Sequence, residues 1–140
     1  MSAQDAMSTQ QFVQRVRDTG GASMNIRSGK LLAPGKKAYV VGGEPDKSGA
    51  AIPPVSVDAG EFGESHVSAM LGNVRSATGN RARTNIGAWS DNGKVVLDAS
   101  AVTKRPGEAI RKGKNRDQQS IWDNKHMREI DTGGHDGAGS

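Results

Sequence analysis

The chain is 140 residues long and has no cysteine, which sets one domain as the ceiling and excludes a disulfide framework, a catalytic thiol and a thiolate-held metal. Hydrophobic residues supply only 34%, aromatics 4%, and glycine 19 positions, enough for one modest core with long loops around it. The formal charge of +4 arises in the second half: residues 1–72 carry 7 basic and 7 acidic side chains, residues 73–140 carry 12 and 8. That asymmetry favours an acidic partner.

Residues 1–8 are polar and read as a flexible N-terminus. They lack the charged start and apolar stretch of a secretory signal, and no apolar run in the chain approaches the roughly 18 residues of a membrane span. Ser8 or Thr9 is placed to cap a helix over residues 10–18, with Phe12, Val13 and Val16 on its apolar edge and Gly20-Gly21 as its stop. Residues 23–26 and 30–32 flank a turn at Ser28-Gly29. Pro34-Gly35 makes another turn, and residues 38–41 read as a strand ending at Gly42-Gly43. Residues 44–54 hold glycine and proline clusters and little apolar content, so they read as an exposed loop before a short extended piece at Val55 and Val57. Val67, Met70, Leu71 and Val74 fall at i, i+3, i+4 and i+7, predicting a helix over residues 61–75 with Asp58 as its cap. Residues 76–84 form a second loop.

Local signals are densest beyond Asn85. Residues 86–90 and 94–98 flank Asp91-Asn92-Gly93, and Asn-Gly between apolar runs marks a hairpin with a type I′ turn. Residues 100–104 read as a connector. Pro106 then suits the first turn of a helix over residues 106–117, with Glu108 near its positive end and Arg111, Lys112, Lys114 and Arg116 towards its negative end. Its apolar stripe is narrow: Ala109, Ile110 and Gly113. Residues 120–123 and 127–130 read as strands around a turn at residues 124–126. The resulting β-hairpin, helix, β-hairpin unit has Trp89, Val96, Ile110, Ile121, Trp122 and Ile130 as its expected core.

Gly87-Ala88-Trp89, Gly93 to Asp98, Glu108-Ala109, Gln118 leading into Ile121-Trp122-Asp123, and Thr132-Gly133-Gly134 together resemble a group of small bacteriophage proteins. The same segment is similar to one inside large polyvalent proteins of phages and mobile elements. The resemblance covers about the last third of the chain, with a weaker match at Ser28-Gly29-Lys30-Leu31 and Gly35 to Gly43. It implies a phage setting and a fold, and no chemistry.

Catalytic patterns are sparse. His66, His126 and His135 are far apart and lack metal-ligand spacing. No Gly-x-Ser-x-Gly elbow occurs, and the glycine pairs lack the Gly-Lys-Ser/Thr ending that cradles phosphate. Asp98 and Asp123 both end predicted strands. Brought together, two carboxylates do acid–base work, but each is better read as capping the turn or helix that follows. The one electrostatic constellation is Arg81, Arg83, Lys104, Arg105, Arg111, Lys112, Lys114 and Arg116. It reads as a solvated helix face, as phosphate contacts for nucleic acid, or as a dock for an acidic protein surface. Trp89 and Trp122 are assigned to the core rather than to base stacking.

The expected protein is a small single α+β domain over residues 9–131, mostly antiparallel sheet with two to three helices, followed by a flexible glycine-rich tail at residues 132–140. The expected function is that of a non-enzymatic accessory protein, without cofactor, metal or membrane contact, that binds a host or phage partner through its basic second half. Nucleic-acid binding and a virion structural or decoration role are the alternatives, which places the protein in the host cytoplasm or in the virion. The sequence leaves the oligomeric state open.

Overall fold

The computed structural model describes residues 2–133. In chain order the elements are α1 (Ala3–Thr19), β1 (Gly21–Asn25), β2 (Tyr39–Val41), β3 (Val55–Asp58), α2 (Glu64–Thr78), β4 (Thr84–Asp91), β5 (Lys94–Thr103), α3 (Pro106–Asn115), β6 (Ser120–Asp123) and β7 (Arg128–Asp131). The protein is an α+β domain with one antiparallel sheet of seven strands.

The fold grows from the Asn92-Gly93 turn. Both residues have positive φ, 48° and 80°, as a type I′ turn requires. The turn closes β4 onto β5 from Asp91↔Lys94 to Thr84↔Ala101. The opposite edge of β5 is shared. β3 covers Lys94 to Leu97, and β2 covers Ala101 to Thr103. This second pairing turns residues 100–103, expected as a connector, into strand. The β6–β7 hairpin then joins through β2, giving the order β1-β4-β5-β2-β6-β7 with β3 beside β5.

Strand alternation sorts the sheet into two unlike faces. Met24 of β1, Ile86 and Ala88 of β4, and Val95, Leu97 and Ala99 of β5 share a core with Phe12, Val13 and Val16 of α1 and Val67, Met70, Leu71 and Val74 of α2. Farther along the same face, α3 lays Ala109 against Val41 and Ile121 in a second, smaller core. α3 approaches closely because Gly113 has no side chain: a Cβ there would meet Thr132 Cγ2 at 2.8 Å and Ile121 Cγ2 at 3.0 Å. Among the described residues, the other face of the sheet carries no helix.

This partition corrects the expected core. Of the six residues assigned to it, Ile121 alone is fully buried. Trp89 is 43% exposed because Ile86 and Ala88 take the inward positions of β4, leaving Trp89 outward opposite Val96. Trp122 alternates outward from Ile121 in the same way, while Ile110 and Ile130 lie partly buried against the small core.

The N-terminus is also more ordered than its composition suggests. α1 starts at Ala3, not at residue 10. The Ser2 hydroxyl accepts the Asp5 N–H (3.0 Å), and the Asp5 carboxylate pairs with Arg75 of α2 (3.0 Å). Ser8 and Thr9, expected as caps, are buried inside the helix. Gly20 ends it with φ 88° and an N–H to Val16 O (2.8 Å). α2 runs three residues later than predicted. Its first turn is held by the Gly63 N–H donating to His66 Nδ1 (3.1 Å), whereas Asp58 faces Lys94 instead of capping the helix. Residues 44–54 are only partly a surface loop, since Glu44 and Ile52 are buried and joined by the Ile52 N–H to Glu44 O (3.0 Å). Thr132, expected in the loose tail, is buried and donates its hydroxyl to Gln118 O (2.5 Å). Residues 134–140 of that tail lie outside the described residues.

Candidate anion-binding cavity

A cavity of about 200 Å³ opens on the helical side, between α3 and the loop that leads from α2 into β4. Its chemistry begins with Glu44, which is only 4% exposed. The Glu44 carboxylate accepts the Thr84 hydroxyl (2.5 Å) and Arg116 Nη2 (2.8 Å), and Arg81 Nη1 lies 3.9 Å away. A carboxylate so deeply withdrawn from water survives only when charge and hydrogen bonds both answer it, and here they do.

The local folding explains how these partners arrive. Gly79 (φ 68°) and Asn80 (φ 62°) break α2 and turn the chain back. Arg81 then reaches across to donate to Pro45 O (2.7 Å) and Asp46 O (3.0 Å). On α3, Glu108, Lys112 and Arg116 recur at intervals of four, so one stripe of the helix and its C-cap faces the cavity. Glu108 accepts the Thr103 hydroxyl at 3.3 Å. Arg83 and Lys112 complete the lining, and among the described residues neither side chain has a hydrogen bond or an ion pair. Four cations against Glu44 and Glu108 leave the cavity two positive charges in surplus. Its volume is below the roughly 300–1,000 Å³ of pockets for drug-sized ligands and suits one small anionic group.

The eight basic residues of the predicted patch therefore divide. Arg81, Arg83, Lys112 and Arg116 meet at the cavity. Lys104, Arg105, Arg111 and Lys114 are exposed and lie outside it. Glu44 and Thr84, which organise the site, gave no signal in the sequence.

The paired-carboxylate idea fails on geometry. Asp123 does end β6, and it receives the His126 backbone N–H (3.3 Å) and lies 2.8 Å from His126 Nδ1, which is the capping arrangement. Asp98, expected at a strand end, sits in the middle of β5 and caps nothing. Strand alternation points it to the helix-free face, opposite to Asp123. Loss of water around its partly buried carboxyl pushes its pKa up to about 7.

Among the described residues, no helix is long and apolar enough to cross a membrane. No family model matches the chain, and no curated protein or solved structure does so either.

Proposed function

We propose that this protein is a non-enzymatic binding module of a phage or mobile element, acting in the host cytoplasm. It takes an acidic side chain of a partner protein into the cavity beside α3. The observation that carries this reading is the contrast among its four cations. Glu44 holds Arg116 and Arg81 to the walls, so these two are positioned in advance, while Arg83 and Lys112 face the opening without a counter-charge. A carboxylate entering there meets preorganised donors and two unneutralised charges, which favours binding by cutting the ordering cost. The resemblance to small phage proteins supports the setting.

The test is titration of a fluorescent hexaglutamate peptide by anisotropy. The Arg83→Ala/Lys112→Ala double variant should weaken binding about tenfold, and added salt should weaken it in the parent. Equal affinity of parent and double variant would refute the reading. Nucleic-acid binding is the second reading, favoured by one observation: exposed Arg111 and Lys114 extend the basic surface beyond the cavity along α3. Gel retardation with random duplex and single strands separates the two. A run of phosphate contacts lowers log K by roughly 0.9 per phosphate for each decade of salt on duplex DNA, and such a slope over several phosphates would favour the second reading.

A further inference from the structure

The helix-free face of the sheet is organised around an acid that nothing answers. Asp98 and Ser100 of β5 and Asn85, Gly87 and Trp89 of β4 all point to it. Gly87 lies directly opposite Asp98, where a Cβ would come within 2.9 Å of Oδ1. On the other side, a Cβ at Gly42 would come within 3.1 Å of Oδ2. Both neighbouring segments thus lack a side chain where the carboxyl rests, and the Gln118 amide oxygen, an acceptor, stands beside the Gly42 position without donating to it. Among the described residues, no group donates a hydrogen bond to it.

A second polar group on this face is also left over. Ser100, two residues on, is 1% exposed, and its hydroxyl has no hydrogen-bond partner. Asn85, opposite Ser100, is already committed to the Ser23 hydroxyl (2.9 Å). Buried polar groups without partners are uncommon in folded proteins and ask for an explanation.

The surroundings specify the missing partner. Trp89 is a diagonal neighbour of Asp98 across the β4–β5 pair, close enough for a long side chain to touch both. The negative face of an indole attracts cations. The outward charges of the strands are Asp58, Asp91, Asp98, Glu129 and Asp131 against Lys94, which is already paired with Asp58. This face is therefore acidic, whereas the cavity on the helical side is basic. A planar guanidinium suits it best, because it donates in a fork to a carboxylate and stacks on an aromatic ring.

We propose that the helix-free face is a second binding surface that accepts an arginine side chain from a basic segment of a partner protein, with the guanidinium between the Asp98 carboxyl and the Trp89 ring. The surface is independent of the cavity beside α3 and stands whether or not that cavity binds an acid.

The experiment uses the full chain carrying Trp122→Phe, which leaves Trp89 as the single indole of the two in the sequence. An Arg-Gly-Arg-Gly-Arg peptide is titrated while Trp89 emission is followed, and a dye-labelled copy is followed by anisotropy. Saturable change in emission is expected. Asp98→Asn, nearly isosteric, should weaken the peptide about tenfold, and so should the exposed Trp89→Ala if Asp98→Asn fails to fold. Glu129→Gln/Asp131→Asn should stay within about threefold of the parent. The proposal is overturned if no binding is seen, if Asp98→Asn and Trp89→Ala both bind like the parent, or if the Glu129/Asp131 variant loses as much as Asp98→Asn. The last result would mean diffuse charge attraction without a built site.

Discussion

At the scale of single residues, Asp98 and Glu44 show two ways of holding a carboxylate away from water. Asp98 has no partner, and burial raises its pKa from the usual 3.8 to about 7. The folded state therefore holds this proton more tightly than the unfolded chain does. Its favourable contribution is complete below 3.8 and is lost as pH rises through about 7. Asp98→Asn removes the titration. At roughly pH 8 it should stabilise the fold by on the order of 2 kcal/mol, discounted for the partial exposure of the group, and at roughly pH 4 the gain should vanish. Urea melts at the two pH values measure this, and a pH-independent difference would contradict it. Glu44 is the opposite case, since two hydrogen bonds and two guanidiniums answer it. Glu44→Ala should cost about 3 kcal/mol, because it strands Arg116 and Arg81 without their carboxylate. Thermal melting should show a fall in Tm of about 10 °C.

At the scale of elements, two helical glycines make opposite predictions. Gly72 in α2 is exposed, with nothing within 4 Å of where a Cβ would stand. Gly72→Ala should therefore stabilise the protein by roughly 0.5–1 kcal/mol through helix propensity. Gly113 in α3 gains the same propensity, but its new methyl would strike the branched side chains of Thr132 and Ile121. Thr132 is pinned by its bond to Gln118 O, so it yields little. Gly113→Ala should lose about 1–2 kcal/mol net. Denaturant midpoints of the two variants would show whether packing or propensity decides.

The elements also show what a sequence makes legible. The β4–β5 hairpin, α3 and the β6–β7 pair are written in local chemistry: Asn92-Gly93, Pro106, and apolar runs of matching length. The stripe from Val67 to Val74 marks α2 equally well. By contrast, β2 and β3 owe their places to a shared edge of β5 more than fifty and more than thirty residues away, and such a pairing leaves no local mark. The same blindness hid Glu44, which sits among glycines and prolines as if in a loop. It also misassigned Trp89 and Trp122, because the consecutive apolar residues Val95, Val96 and Leu97 do not declare which of them points inward. Half of the candidate site was legible as charge; the acid that organises it was not.

At the scale of the molecule, the helical side holds two cores of unequal size. The larger joins α1 and α2 to β1, β4 and β5. The smaller joins α3 to β2 and β6 through a few side chains. Less apolar area removed from water means a lower local opening free energy. Amides of β6 and β7 should therefore exchange with deuterium at least about tenfold faster than those of β4 and β5, as measured by hydrogen-exchange mass spectrometry. Equal protection throughout would instead mark one cooperative unit.

The order in which strands pair has a consequence for how the chain comes into being. No two of β1, β2 and β3 pair with one another; each waits for a later strand, and for β2 and β3 that strand is β5. A nascent polypeptide that has left the ribosome only as far as α2 holds two helices and three orphan ribbons with no sheet to join. The part of the sheet built on β5 can close only after Thr103 emerges, and α3, β6 and β7 are added after it. Such dependence on distant contacts slows folding, and it leaves the unfinished chain exposed to any chaperone or protease that meets it first.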